Sequence, residues 1–309
     1  MRIALLGQAP LAVDVLDRLL ADGHEVVAVY APPDTGRPDA LAERAEAVGV
    51  RLLRRRYFQK KSGEPIPAAL DEYRSLDAEL NVLASMTSFL PRAITDAPPH
   101  RSVCFHPSLL PRYRGGNAMQ WQIILGERES GVTVFVPDAG VDTGPIVVQK
   151  GGVTIDDADT TGSLFFKKLY PLGVEALVEA VTLIAAGREQ TVAQDETLAT
   201  HQGLVDQAVA AVRFARGVDE VSRLVRGCDP QPGAYVRVRG EQVRLYDAQV
   251  IDGDGAPGTI VSIGAQGIGI GLKGGVLRCR RVRADAGKEP AEEWAARAGI
   301  ATGEPVTDG

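Results

Sequence analysis

Apolar positions at the start of the chain switch between two periods. "IALL" at residues 3–6 is an unbroken apolar run closed by Gly7; Val13, Leu16, Leu19 and Leu20 then recur at helical spacing, and "EVVAVY" at 25–30 returns to an apolar run. A strand buried on both faces reads as continuous apolar sequence, and the helix covering it reads with a period near 3.6, so this opening predicts a parallel strand-helix-strand unit. The same reading predicts strands at Val50–Leu53, 79–85, 102–106 and 131–137. Helices are predicted over Ala40–Val48, Pro67–Tyr73, Ala118–Leu125 and, longest, Thr160–Ala186. Alternation of this kind predicts an α/β fold: a Rossmann-like, mostly parallel sheet with helices on both faces.

From Gly187 to about Val205 the sequence turns polar and loses its period, which predicts a linker over 188–205. After a helix around Val218–Arg226 the pattern changes to short alternating segments broken by glycine: "AYVRVRG", "QVRLYDAQV", "GTIVSIG", "GIGIGL" and "VLRCRRVRA". These predict a smaller C-terminal β-barrel of the OB-like kind, and hence two domains, 1–187 and 206–309.

A chain of 309 residues that is 45% hydrophobic has material for both cores. Its net charge of −6 weighs against nucleic acid as the main partner, because neutralising phosphates needs a basic surface; no DNA partner is expected. Three cysteines, at 104, 228 and 279, form no CxxC pair and suggest neither a disulfide framework nor a metal site, so a reducing, cytoplasmic setting is expected. The amino terminus lacks the layout of a signal peptide, and no apolar run approaches ~20 residues, so no membrane association is expected.

Three stretches invite chemistry. The first strand-to-helix turn, "GQAPLAVD", lacks the second and third glycines that let a backbone approach a pyrophosphate, so Gly7 reads as structural. The basic cluster "RLLRRRYFQKK" at 51–61 reads as a solvated loop, with contact to phosphates or a polyanionic tail as the alternative. The third is "VCFHPSLLPRYRGG" at 103–116, which places His106 at the carboxyl end of a parallel strand, where open α/β sheets hold their ligands. Arg112 and Arg114 follow in a loop fixed by Pro107, Pro111, Gly115 and Gly116; they can reach an anion, shape an entrance or remain solvated. A second strand runs into "DAGVDTGPI", crowding Asp138, Gly140, Asp142 and Gly144 into a turn. An imidazole with a carboxylate beside it can stabilise an oxyanion and move a proton near neutral pH. The spacing also permits a histidine that closes a loop and an aspartate that satisfies turn amides.

"HPSLLPRYRGG" followed by "ESGVTVFVPDAGVDTGPIVVQK" resembles the folate-dependent formyltransferase family, with further similarity at "RIALLGQ", "AELNVLASMTSFLP" and "PGAYVRV". The resemblance implies a catalytic pair at His106 and Asp142, with Cys104, Ser108 and Gln8 as neighbours. It also implies 10-formyltetrahydrofolate as co-substrate, its pterin read by the loops at Ser88–Leu90 and Asp138–Val141 (Asp138, Ala139, Gly140, Val141), with Met86 and Phe89 as apolar walls and Arg112 and Arg114 on the acceptor side. No metal is implied. Within the family the chain is most similar to the amino-terminal hydrolase domain of 10-formyltetrahydrofolate dehydrogenase. The features are Gln8, "HPSLLP" without the glycine that tRNA-modifying members carry after the histidine, and the short "PPDTGRPDALAERA" at 32–45, where methionyl-tRNA formyltransferases carry a lysine-rich insertion. The carrier and aldehyde dehydrogenase domains of that enzyme lie beyond residue 309, so no NAD(P) chemistry is expected.

One position departs from the family. The usual asparagine two residues before the histidine is Cys104 here, as in the hydrolase branch, where an apolar residue stands. An oxyanion-hole donor of that type is worth about 3 kcal/mol by analogy, if nothing replaces it. A catalytic thiol is the lesser alternative to a packed one. The acceptor therefore reads as a small amine or water, with methionyl-tRNA as a further, less favoured possibility. A protein that only binds folate is the reading of another class, and retention of both His106 and Asp142 speaks against it. The barrel arginines (237, 239, 244, 278, 280, 281, 283) would form a basic patch if they alternate onto one face.

Overall fold

A computed structural model describes residues 1–309 apart from Thr87 and Ala286. The chain begins β1 (Arg2–Gly7), α1 (Leu11–Ala21), β2 (Glu25–Ala31), α2 (Ala40–Ala47), β3 (Leu52–Arg54), α3 (Pro67–Arg74), β4 (Leu80–Ala84), α4 (Arg92–Thr95) and β5 (Ser102–His106). There follow α5 (Ala118–Leu125), β6 (Glu129–Phe135), β7 (Ile146–Thr154), α6 (Thr161–Leu164), a π-helical stretch Phe165–Leu169, and α7 (Tyr170–Ala185). The last part holds α8 (Gln207–Ala210), α9 (Val218–Gly227), β8 (Tyr235–Val238), β9 (Glu241–Ile251), β10 (Ile260–Gly264), β11 (Gly267–Leu272), β12 (Gly275–Arg283), β13 (Glu289–Pro290), α10 (Ala291–Arg297) and β14 (Val306–Thr307). No helix among the described residues is long and apolar enough to cross a membrane.

Two compact units result, and neither is continuous in sequence: residues 1–115, 130–153 and 167–201 form one, and 116–129, 154–166 and 202–309 the other. The first holds a sheet ordered β3-β2-β1-β4-β5-β6-β7. β3, β2, β1, β4 and β5 are parallel neighbours, and the nearly unbroken burial of the central strands β1 and β4 is what a sheet covered on both faces requires. Chain order reverses between β1 and β4, so their carboxyl ends flank the crevice that such sheets leave open for a ligand. Gly7 is required there, since a Cβ would lie 2.0 Å from the carbonyl oxygen of Ala84. On the sheet face that Phe105 presents, Gly173 of α7 admits its ring, which a Cβ would meet at 2.5 Å.

β6 departs from parallel: it runs against β5, with Cys104 opposite Phe135 and His106 opposite Thr133. β7 is absent from the sequence expectation because the "GG" at 151–152 interrupts its apolar pattern after "IVV". The long helix expected over Thr160–Ala186 is present, although Phe165–Leu169 winds more loosely and Pro171 opens α7. The expected linker is a correction. Val192 pairs with Ile146 through two backbone bonds of 2.8 and 2.9 Å, and Thr200 donates its N–H to Pro111, so 188–201 packs as part of the first unit. Most of its residues are exposed, and the polar groups that hold it in place are Gln194, Glu196 and Thr200.

In the second unit an antiparallel sheet runs β10-β11-β12-β9-β8-β14, with β13 on β12. Ile260 donates to Glu304 (3.0 Å) and Val306 to Gly258 (2.8 Å), which brings the outer edges together and curls the sheet into a barrel. Val218, Val221, Leu224 and Val225 of α9 join the barrel's apolar core. α5, expected in the first domain, packs here instead: Gly227 of α9 lets Ile124 approach to where a Cβ would be 2.6 Å away. The barrel arginines do not share one face. Arg278 and Arg280 have one strand parity and Arg281 and Arg283 the other, while Arg239 pairs with Glu304 and Arg244 donates to the carbonyls of Pro232 and Gly233.

Candidate active site

β5 delivers Cys104 and His106 to one face of the sheet, and the loop that follows is built to hold the imidazole. The Ser108 hydroxyl, fully buried, donates to the Arg112 carbonyl (2.7 Å). Thr133, opposite His106, donates to the Ser108 carbonyl (2.6 Å) and accepts the Leu110 N–H (3.1 Å). Gln149 of β7 donates to the Leu110 carbonyl at 2.8 Å. Tyr113 adopts a left-handed conformation, φ +61°, with its N–H on the Thr200 hydroxyl (2.8 Å). Its carbonyl is thereby turned toward His106, whose Nε2 donates to it at 2.8 Å.

That bond fixes the chemistry of the ring. A carbonyl oxygen only accepts, so Nε2 carries a proton and a neutral His106 presents a lone pair on Nδ1. Nδ1 lies 3.4 Å from Oδ2 of Asp142, so this contact is attractive only when the pair holds a proton between them. His106 is buried, and burial holds its pKa below the ordinary imidazole value, while Asp142 and the Tyr113 carbonyl pull in the opposite direction. The Gly115 N–H also donates to Oδ2 (2.7 Å). Among the described residues both Asp142 contacts use Oδ2, which leaves Oδ1 to receive a proton.

Asp142 reaches this position although β6 ends beside Cys104 rather than beyond His106. The loop from 136 to 145 turns back tightly: Val136 donates to the Pro145 carbonyl (2.9 Å), and a Cβ on Gly144 would lie 1.8 Å from the Val136 carbonyl. Asp138 caps the turn, accepting from the Gly140 N–H (3.0 Å) and the Thr143 hydroxyl (2.6 Å). Asp142 itself is left-handed, φ +55°, a conformation that costs a non-glycine residue roughly 1–2 kcal/mol.

Gln194 holds that strained residue, and sequence reasoning missed it. Its amide Nε2 donates to the carbonyls of both Asp142 (2.8 Å) and Gly144 (2.7 Å). Its Oε1 accepts from Arg114 at 2.8 and 3.0 Å, and Arg114 in turn grips Glu196 with two bonds of 2.6 and 2.9 Å. Arg114 is 7% exposed and serves this clamp, so the structure does not turn it to an acceptor entrance. Arg112 is exposed, with its guanidinium over the Tyr113 ring.

The remaining sequence candidates divide in two. Cys104, Met86 and Leu90 pack against one apolar cluster that includes Leu6, Tyr30, Phe58 and Leu83. Burial pushes the Cys104 thiol well above its usual pKa and Asp142 adds to the rise, so it is a packed thiol without thiolate character. Gln8, Met86 and Ser88 line a cavity of about 250 Å³ at the crevice between β1 and β4, together with Tyr30, Arg56 and Phe58. Thus part of the 51–61 cluster faces this cavity, while Arg55 pairs with Glu72 (2.9 Å). Phe89, 70% exposed, and Val141, 40% exposed, stand out as apolar groups in water, and Asp138, Ala139 and Gly140 are exposed beside Val141. Among the described residues no three His, Cys, Asp or Glu side chains converge to hold a metal ion.

Comparison with known proteins places this geometry in context. Residues 1–181 match the formyl transferase family, and residues 205–299 match the formyl transferase C-terminal domain. The human mitochondrial 10-formyltetrahydrofolate dehydrogenase is 36% identical over 279 residues, 90% of this chain and 30% of that protein. The chain thus spans about a third of the length of the dehydrogenases it matches. A methionyl-tRNA formyltransferase of Geotalea daltonii is 31% identical over 98% of this chain and 97% of its own. Among solved structures, HypX from Aquifex aeolicus has the same fold over 98% of this chain and 48% of its own, with a TM-score of 0.75 at 20% identity. Glycinamide ribonucleotide transformylase 1 from Symbiobacterium toebii matches 63% of this chain and 94% of its own, with a TM-score of 0.52 at 26% identity.

Proposed function

The chain belongs to the formyltransferase family, and from that premise we propose that it takes the formyl group of 10-formyltetrahydrofolate and passes it to water or a small amine. The observation that carries this reading is the buried His106–Asp142 pair, with Nε2 committed to a backbone carbonyl and Nδ1 3.4 Å from Oδ2; in the proposed mechanism the pair holds one proton between them. The acceptor attacks the formyl carbon, and its proton passes to Asp142. The oxygen of the tetrahedral intermediate takes a hydrogen bond from Nδ1–H of His106, and Cys104 stands where an amide would otherwise donate. The C–N10 bond then breaks, N10 takes the proton back from Asp142, and tetrahydrofolate leaves. No step needs a metal or a nicotinamide.

Phe89 and Val141 support a folate site on chemical grounds, since exposed apolar side chains on two loops are what a flat pterin would cover. Met86 and Ser88, which the resemblance gives to the folate side, line a cavity of about 250 Å³ together with Gln8, a volume that suits part of a small molecule rather than a macromolecule. Similarity to the dehydrogenases favours water. The full-length match to a methionyl-tRNA formyltransferase keeps an aminoacylated tRNA as a second acceptor; the pairing of Arg239 with Glu304 and of Arg244 with the Pro232 carbonyl weighs against it.

The test is tetrahydrofolate release from 10-formyltetrahydrofolate, followed by absorbance without an added acceptor, in wild type, His106→Ala and Asp142→Ala. Wild-type turnover lost in both variants is the expected result. Wild-type silence with folate bound directs the search to amines and tRNA, and silence without folate binding sinks the proposal.

A further inference from the structure

Two consecutive peptide groups serve the two members of the His106–Asp142 pair. The Tyr113–Arg114 peptide turns its carbonyl to His106 Nε2 at 2.8 Å, and the Arg114–Gly115 peptide turns its N–H to Asp142 Oδ2 at 2.7 Å. Tyr113 and Gly115 are both left-handed, φ +61° and +90°, and lie outside any helix or strand, so the segment does not fix these directions by itself. Thr200, 87 positions beyond Tyr113, fixes them from outside.

Thr200 meets the segment three times. Its N–H donates to the Pro111 carbonyl (3.1 Å), its hydroxyl accepts the Tyr113 N–H (2.8 Å) and its carbonyl accepts the Arg114 N–H (3.0 Å). The last contact sets the direction. A trans peptide is planar with its N–H and C=O pointing opposite ways, so holding the Arg114 N–H on Thr200 aims the Tyr113 carbonyl away from Thr200 and at His106. An amide whose N–H is already bonded is also a stronger acceptor through its oxygen. The His201 ring covers the next residue: a Cβ on Gly115 would lie 2.8 Å from its Cε1.

The consequence falls on the imidazole, which sits between two acceptors. A hydrogen bond to a charged group is roughly twice as strong as a neutral one, so a lone ring proton would go to Nδ1 and face Asp142 unless the Tyr113 carbonyl is held in line with Nε2. We propose that Thr200 is a positioning residue which, through the Tyr113–Arg114 peptide, keeps a proton on His106 Nε2 and so reserves Nδ1 for the proton that moves in catalysis. The role in catalysis rests on the formyl-transfer reading; the tautomer is a property of the folded chain alone.

Nitrogen-15 NMR of the full chain at about pH 8, above the ordinary imidazole value of ~6.5, reads the tautomer directly, with the His106 signals assigned by their loss in His106→Gln. Wild type is expected to show Nε2 as a protonated nitrogen. Thr200→Val removes the hydroxyl that accepts the Tyr113 N–H. It is expected to move the Nε2 signal toward the unprotonated position and to lower kcat for tetrahydrofolate release roughly tenfold, with KM for the folate within about twofold, as loss of one buried bond predicts. Thr200→Ser keeps the acceptor and is expected to retain both the wild-type signal and kcat. An unprotonated Nε2 in wild type overturns the proposal without any variant, so a Thr200→Val chain that fails to fold does not shield it. A folded Thr200→Val chain with wild-type nitrogen signals overturns it equally. Wild type with a protonated Nε2 that releases no tetrahydrofolate, with or without an amine, counts against formyl transfer and leaves the tautomer assignment standing.

Discussion

Gln194 is the residue whose removal most directly tests how the site is held. Replacing it by alanine deletes two amide bonds to the carbonyls of Asp142 and Gly144, and deletes the oxygen that receives Arg114. At about 1 kcal/mol per neutral bond, the lost hold on the loop is about 2 kcal/mol. The left-handed Asp142 carries a conformational cost of the same size, roughly 1–2 kcal/mol, so the balance that keeps Oδ2 near Nδ1 is close to even once the clamp is gone. A 2 kcal/mol shift changes a two-state population by roughly 30-fold, since 1.4 kcal/mol is a factor of about 10. Gln194→Ala is therefore expected to lower kcat roughly 10- to 30-fold with little change in KM for the folate, because Phe89 and the apolar walls are untouched. Arg114 keeps Glu196, so the melting temperature falls by only a few degrees. Gln194→Glu preserves shape but sets an acceptor against two carbonyls, and is expected to be as impaired as alanine. The assay is tetrahydrofolate release under whichever acceptor conditions support wild-type turnover. A Gln194→Ala enzyme within twofold of wild-type kcat would refute the claim that this side chain positions Asp142.

Four further outcomes follow from the geometry. Burial lowers the His106 pKa, so between that value and the unfolded ~6.5 the unfolded chain binds more protons; stability is full above ~6.5 and declines as pH falls below it, and thermal melts of His106→Asn should show a shallower acid slope. Gly144→Ala must displace a carbonyl 1.8 Å from the new Cβ, and is expected to lose activity and several degrees of melting temperature together; unchanged melting would contradict the close approach. Phe89→Ser, at a 70% exposed position, should leave melting unchanged and weaken folate binding several-fold in a fluorescence titration. Cys104→Asn sets an amide among apolar neighbours, at a stability loss of roughly 1–3 kcal/mol by denaturant melts, while raising turnover with amine acceptors through the restored donor.

The parallel strands were legible because burial on both faces leaves unbroken apolar runs, and His106 was legible because it ends one of them. The direction of β6 was not, since "GVTVFVP" is equally apolar whichever way it runs; what fixes it is pairing to β5, a property of two segments at once. The approach of Asp142 to His106 depends on a turn whose tightest contact is Gly144 against Val136, and a glycine in sequence does not say which carbonyl it admits. Arg114 read as a surface charge because its partners lie 80 and 82 residues further on. The Thr133 hydroxyl, buried in β6, gave no signal beyond being a polar residue in an apolar strand, yet it joins Ser108 to Leu110.

The tract from 188 to 201 changes what counts as a module in this chain. A fragment ending at residue 187 would keep all seven strands of the first sheet and both members of the His106–Asp142 pair, yet it would lack Gln194, Glu196 and Thr200. Any rearrangement of genes that exchanged the barrel by cutting at the polar stretch would carry the groups that hold Asp142, Arg114 and Tyr113 away with the piece removed. A cut after His201 keeps this tract with the sheet, yet residues 116–129 and 154–166 of the second unit stay on the same side of it, so no single cut in the chain separates the two units.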